Sequence, residues 1–164
     1  MEKKYNKVCF GITSKCADNK HILFFDYDIK NLNVVCSELE YIQKIFKLSE
    51  IYIISTDNGY NAFCLDKLSF KDVLVIYSKC EIIDKDFVNY CTNRGYFTLR
   101  MSISKKLVYI IKSNNCVHEK SNAHKKFFKD IMAYHLNDSC NFDTSQNVVL
   151  ESYGSNKHGF DLNE

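Results

Sequence analysis

Two aspartates, Asp26 and Asp28, end the apolar run HILFFDYD at residues 21–28. Because side chains alternate between the two faces of a strand, both carboxylates point the same way. Two carboxylates at the end of a buried strand repel each other unless a cation lies between them. Mg²⁺ or Mn²⁺ is such a cation, since hard divalent ions prefer oxygen ligands. The pair predicts a metal site or, as the plainer alternative, a strand end that has reached solvent.

Other polar residues further along the chain could complete such a site. Asp84 or Asp86 could supply the third acid of a site whose ions stabilise the attacking and the leaving oxygen of a phosphoryl displacement. Arg100 and Lys105 are suited to phosphate, because a guanidinium binds two oxygens at once and an ammonium adds charge. Gly59 would let backbone approach closely. The plainer alternatives are a helix N-cap at Asp84 and solvated edge charges at Arg100 and Lys105.

Composition limits the classes of function that remain. The chain has 164 residues, 46% hydrophobic content and a net charge of +2, which fits one packed domain without a global basic field. Any contact with nucleic acid must therefore come from a local patch. Eight cysteines without a C-x-x-C pair predict reduced thiols and a cytoplasmic, intracellular protein. No apolar run approaches the roughly 20 residues of a membrane span, so no membrane association is expected.

Periodicity and turn signals predict one α+β domain over residues 1–136 and a polar, flexible tail over 137–164. The turn Asp57-Asn58-Gly59 predicts a hairpin, Asn33 and Ser69 are candidate N-caps, and Gly95 is a candidate C-cap. The predicted strands are 8–13, 21–28, 51–56, 60–66, 96–102 and 106–112, and the predicted helices follow Asn33, Ser69 and Asp84, with a last one at 124–136.

From residue 21 to residue 102 the predicted order is βαββαβ, which is the order of a ferredoxin-like or RRM-like core. An extra hairpin, in which 106–112 pairs with 96–102, a C-terminal helix and the tail complete the expected α+β fold. In a ferredoxin-like sheet the first and third strands are central and the fourth lies beside the first. Asp26 and Asp28 should then neighbour Asn61 and Arg100 on one face of the sheet.

Four segments in this order resemble the archaeo-eukaryotic primase and primase-polymerase superfamily. FFDYD resembles its first motif, an apolar strand that ends in Asp-x-Asp, and STDNGYNAF at 55–63 resembles the second. IIDKD at 82–86 stands where the family has an acidic motif. LRMSISKK at 99–106 resembles the later stretch with arginine, serine and lysine. The resemblance covers roughly residues 20–110, and the family's catalytic core contains an RRM-like half.

The resemblance implies a metal-dependent transfer of nucleotides to a 3′-hydroxyl on a single-stranded template, with Mg²⁺ or Mn²⁺ as cofactor. Nucleoside triphosphates and single-stranded nucleic acid would be its partners, and the tail could contact a replication protein. Asn61 stands where the family has a histidine, and the chain is short, as in a minimal viral or plasmid-encoded member. The implied catalytic and metal-binding residues are Asp26, Asp28 and Asp84, and the implied nucleotide-binding residues are Ser55, Gly59, Asn61, Arg100, Ser104 and Lys105.

Two other functions fit the same pattern. An RRM-like sheet could bind single-stranded nucleic acid without catalysis, with Tyr27, Tyr60 and Phe63 as stacking residues. The chain could also be a degenerate primase-like protein that keeps only the fold. Binding that persists in EDTA without turnover would identify the first, and absence of nucleotide and nucleic-acid binding would identify the second.

Overall fold

The structure is a computed structural model that describes residues 9–102 and 105–138, and their side chains over 11–101 and 105–130. Within these ranges the fold is mixed α+β, with antiparallel sheets, as predicted for the fold class. Ser104 and the predicted tail from residue 139 onward lie outside the described residues. The elements are β1 Cys9–Thr13, β2 His21–Tyr27, α1 Leu32–Phe46, β3 Ile51–Ser55, β4 Tyr60–Leu68, α2 Phe70–Ser78, α3 Lys85–Arg94, β5 Thr98–Ser102, β6 Lys106–Ile111 and α4 Asn122–Asp138.

Capping residues in the sequence correctly predict the ends of α2 and α3. Ser69 caps α2, Asp84 caps α3, and Gly95 ends α3 in the left-handed conformation, as predicted. The cap of α1 is Asn31 rather than Asn33, because the Asn31 side chain accepts from Val34 N–H at 3.3 Å and the helix begins two residues earlier.

The larger sheet has the order β2-β4-β3-β6. The predicted hairpin of β3 and β4 is confirmed, and Thr56 N–H donates to the Gly59 carbonyl at 3.0 Å within its turn. The second predicted hairpin, of β5 with β6, is wrong, since β6 pairs with β3 from Ile51↔Ile111 to Ser55↔Lys106. Strands adjacent in sequence were expected to pair, but the β3 edge offers β6 the burial of Leu107, Ile110 and Ile111.

The expected place of the fourth strand is also wrong. β5 pairs with β1, so β2 is an outer strand of the larger sheet and not a central one. The outer edge of β2 is closed by other groups: Ile22 N–H donates to the Ser14 carbonyl at 2.9 Å, and Asp84 N–H donates to the Asp26 carbonyl at 2.8 Å. Between them, Phe24 N–H donates to the Tyr77 hydroxyl at 3.2 Å. These hydrogen bonds satisfy backbone groups of β2 that would otherwise be free to pair with a neighbouring strand.

Helices cover both faces of the larger sheet. On the face that carries Asp26, Phe128 of α4 stacks on Phe63 with ring centroids 3.7 Å apart. On the other face, Tyr77 of α2 lies edge-on to Phe25 at 5.7 Å. Burial of side chains of this size stabilises the fold by roughly 1.5–3 kcal/mol each. The sheet is therefore a buried and closely packed base for the polar residues at one strand end.

Candidate functional site

Asp26, Asn61 and Lys105 form a continuous chain of hydrogen bonds. The register of β2 and β4 places Asp26 opposite Asn61, as predicted, and Asn61 Nδ2 donates to Asp26 Oδ1 at 2.9 Å. Asn61 Oδ1 accepts from Lys105 Nζ at 2.6 Å. The Asn61 side chain is buried, with 4% exposure, so its amide is held in one orientation between a carboxylate and an ammonium. It connects the two charges without carrying one.

Asp84 lies beside this chain because its backbone N–H bonds to the Asp26 carbonyl. Its side-chain Oδ1 accepts from Asp86 N–H at 3.0 Å, which is the N-cap bond of α3. The alternative prediction, that Asp84 is a helix N-cap, is therefore confirmed. The carboxylate is nevertheless placed next to Asp26 by a backbone bond.

The Asp26 carboxyl has a pKa raised above its usual range. Burial is the largest cause, and the charges of Asp28 and Asp84 add to it. Lys105 and the hydrogen bond from Asn61 lower the pKa and offset part of this rise. Asp28 and Asp84 are thus both close enough to act on Asp26, and Lys105 is a cation that opposes their effect on it. Asp28 is exposed just beyond the end of β2.

The donor atoms suit a hard divalent ion, but the three carboxylates are not arranged as its ligands. Among the side chains that the structure describes, at 11–101 and 105–130, no group of three or more from His, Cys, Asp and Glu is placed to hold a metal ion. Asp84 Oδ1 accepts from Asp86 N–H as the N-cap of α3, and Asp26 Oδ1 accepts from Asn61 Nδ2, so both carboxylates already have hydrogen-bond donors.

Two residues that the sequence did not reveal hold the surroundings of the site, one at the segment that leads to Asp84 and one at the edge of β2. Glu38 of α1 accepts from Ile82 N–H at 2.9 Å and also from Glu81 N–H. Tyr77 closes the edge of β2 through Phe24. Both contacts join residues more than forty positions apart, so periodicity along the chain carries no signal for them.

The other predicted site residues have different surroundings. Arg100 is exposed on β5, opposite Gly11, and only its carbonyl reaches the site, as an acceptor from Lys105 Nζ. The expectation that it neighbours the aspartates is wrong, because β5 does not lie beside β2. Ser55 Oγ donates to the Lys106 carbonyl at 3.3 Å.

Gly59 is used within the fold. A Cβ at this position would lie 2.0 Å from the Tyr27 carbonyl oxygen, so the absence of a side chain lets the hairpin turn pack onto the end of β2. The close backbone approach predicted for Gly59 is present, but its partner is the strand that carries Asp26.

No family model, curated protein or solved structure matches this chain. The likeness to primases consequently stays a prediction that depends on the four motif segments. In the part of the chain that the structure describes, no helix has both the length and the apolar character to cross a membrane.

Two of the three aromatic side chains proposed for stacking in a non-catalytic RRM-like module are covered, one on each face of the sheet. Tyr27 is 0% and Phe63 is 1% exposed, and Phe63 lies under Phe128 of α4. Stacking of bases on these two side chains would require α4 and the helices of the opposite face to move away. That expectation for Tyr27 and Phe63 is wrong, while Tyr60 is partly exposed.

Proposed function

We propose that the protein is a metal-dependent nucleotidyltransferase of the primase-polymerase kind. It would extend a 3′-hydroxyl on a single-stranded template with nucleoside triphosphates. The supporting observation is that Asp26, Asn61 and Lys105, which come from three separate motif segments, join in one hydrogen-bonded chain across 35 and 44 positions of sequence. The pKa of Asp26 is raised by burial and by the charges of Asp28 and Asp84, and carboxyls perturbed in this way cluster at functional sites.

Asp26 and Asp28 would hold Mg²⁺ or Mn²⁺, and the Asp84 carboxylate would join them on releasing Asp86 N–H. A divalent ion supplies charge neutralisation at the triphosphate and a lower pKa for the attacking hydroxyl. Lys105 would bind a phosphate, for which its ammonium must leave Asn61 Oδ1. Asn61 would hold the Asp26 carboxylate in a fixed orientation, a role that needs no charge. Ser55, Gly59, Arg100 and Ser104 complete the nucleotide-binding set implied by the motifs.

The fold supports this interpretation in part. The order β2-β4-β3 is that of the first, third and second strands of a ferredoxin-like or RRM-like sheet. We interpret the core as such a sheet with its fourth strand displaced onto β1. A cytoplasmic protein of a virus or plasmid, with a replication partner for residues 137–164, fits the same proposal.

The test is extension of a labelled primer on a single-stranded template by the full chain, with Mn²⁺ or Mg²⁺ and either NTPs or dNTPs. The double variant Asp26→Asn/Asp28→Asn should lose primer extension, because both metal-binding carboxylates become neutral amides. The matched control Asp57→Asn removes an exposed carboxylate of the hairpin turn and should retain activity. Absence of any product from the native chain, or equal activity in the double variant, would refute the proposal.

A non-catalytic module for single-stranded nucleic acid is the second candidate. It is favoured by one observation: the Asn61 amide already bonds to both Asp26 and Lys105, which leaves both its oxygen and one amide hydrogen committed. In this case the native chain binds an oligonucleotide in EDTA, with affinity that falls as salt rises, and makes no product.

A further inference from the structure

The two-stranded ribbon of β1 and β5 has one buried and one exposed face. Ile12, Leu99 and Met101 are almost fully buried, and by strand alternation their neighbours Gly11, Thr98 and Arg100 face outward. Lys15 follows β1 on the outward side. It lies near Tyr96 because Ser14 N–H donates to the Phe97 carbonyl at 2.8 Å.

Arg94, in the last turn of α3, is held between two tyrosine rings beside this ribbon. Its guanidinium carbon lies 4.1 Å from the Tyr96 ring centroid and 5.0 Å from that of Tyr90, and Lys15 Nζ lies 4.6 Å from the Tyr96 ring. Arg94 Nη2 also donates to Thr98 Oγ1 at 2.7 Å. Cation–π contacts occur roughly once per 70–80 residues, so three at one place form a built cluster.

We infer that this surface binds single-stranded nucleic acid. The aromatic–basic face consists of Lys15, Tyr90, Arg94, Tyr96, Thr98 and Arg100. Its members combine the two features of such surfaces, aromatic rings for bases and cations for phosphates, and none of them is acidic.

Tyr90 is the stacking residue. Its side chain is 66% exposed, and the Arg94 guanidinium lies over one face of its ring. A tyrosine held in this way loses little conformational freedom when a base stacks on it. Lys15 and Arg100 are exposed on the same face and bind phosphates.

The aromatic–basic face leads toward the candidate site. From Tyr96 to Arg100 an extended strand covers about 13 Å. The Arg100 carbonyl then accepts from Lys105, which bonds to Asn61 and so connects to Asp26. A nucleic-acid strand bound on this face would be the template of the proposed function. Only its assignment as the template rests on that function, because stacking and phosphate contacts need no metal.

Fluorescence anisotropy of 5′-labelled dT12 with the full chain in EDTA tests the inference. Tyr90→Ala should weaken binding about 5-fold or more, the effect of losing one stacked base. The matched control Tyr41→Ala truncates a tyrosine of α1 that is 57% exposed and outside the cluster, and it should leave binding unchanged. Lys15→Gln should reduce the slope of log K against log salt by about 0.7, as expected for one lost phosphate contact on a single strand.

An abasic dodecamer with the same number of phosphates separates stacking from charge. It should bind more weakly than dT12 and should not respond to Tyr90→Ala. No binding of dT12, equal binding of the abasic strand, or an equal loss in Tyr41→Ala would overturn the inference. Retained binding by a chain that makes no product would contradict the proposed nucleotidyltransferase alone, whereas product formation without binding in EDTA would contradict this inference alone.

Discussion

Replacement of Asn61 by leucine, which has a similar shape, removes both bonds of the buried amide. Hydrogen bonds to charged groups contribute about 1.5–3 kcal/mol each, and here the charged partners Asp26 and Lys105 are partly exposed, so that water recovers part of each loss. We therefore expect Asn61→Leu to lower the free energy of unfolding by about 2–4 kcal/mol. The measurement is urea unfolding at pH 7 followed by far-ultraviolet circular dichroism, where the midpoint should fall at an unchanged slope.

The matched control is Asn93→Leu, which makes the same exchange at an exposed position of α3 and should change stability by no more than about 0.5 kcal/mol. Addition of Lys105→Met to Asn61→Leu should cost less than it does in the native chain, because the two residues share one bond. If Asn61→Leu costs under about 1 kcal/mol, or if the two effects simply add, the amide does not connect the charges as described.

Backbone fit at two glycines and the ionisation of Asp26 and His21 should also affect the stability of the fold. Gly59→Ala should destabilise or unfold the chain, because its Cβ would meet the Tyr27 carbonyl at 2.0 Å, whereas Gly95→Ala, with φ of +88° and open space, should cost only about 1–2 kcal/mol in thermal unfolding. Asp26→Asn should stabilise the chain at pH 7 and not near pH 3, as measured by urea midpoints, because the raised pKa means that stability is lost as pH rises through the folded-state value. Burial and, to a smaller extent, neighbouring positive charge lower the pKa of His21. The free energy of unfolding should therefore fall as pH drops below about 6.5, and His21→Gln should flatten this dependence on pH.

Each of these outcomes has a result that opposes it. Equal thermal midpoints for the two glycine variants would mean that the turn does not pack against β2. A stability gain in Asp26→Asn that persists at pH 3 would show that ionisation of this carboxyl is not the cause. An unaltered acid limb in His21→Gln would assign the loss of stability to other groups.

Local features of the sequence predicted local structure well. Ser69, Asp84 and Gly95 mark helix ends because capping depends on a few neighbouring residues. The pairing of β5 with β1 and of β6 with β3 could not be read in this way, since it depends on which distant edge offers burial. The same distinction applies to the site.

Asp26 and Asn61 were correctly expected to be neighbours, because their adjacency needs only the order of three strands. The expected position of Arg100 is wrong because it depended on the expected position of β5 beside β2. Glu38 and Tyr77 were missed because a single carboxylate or hydroxyl that bonds to remote backbone leaves no periodic pattern.

The bond between Asp84 N–H and the Asp26 carbonyl has an evolutionary consequence. Position 84 is held by backbone, and for folding its side chain has only to cap α3, a role that asparagine and serine perform about as well as aspartate. A lineage could exchange these residues, and so remove or restore the third negative charge, with little effect on folding. The site can therefore drift between an ionic and a neutral form by one conservative substitution, while the scaffold that presents it remains intact.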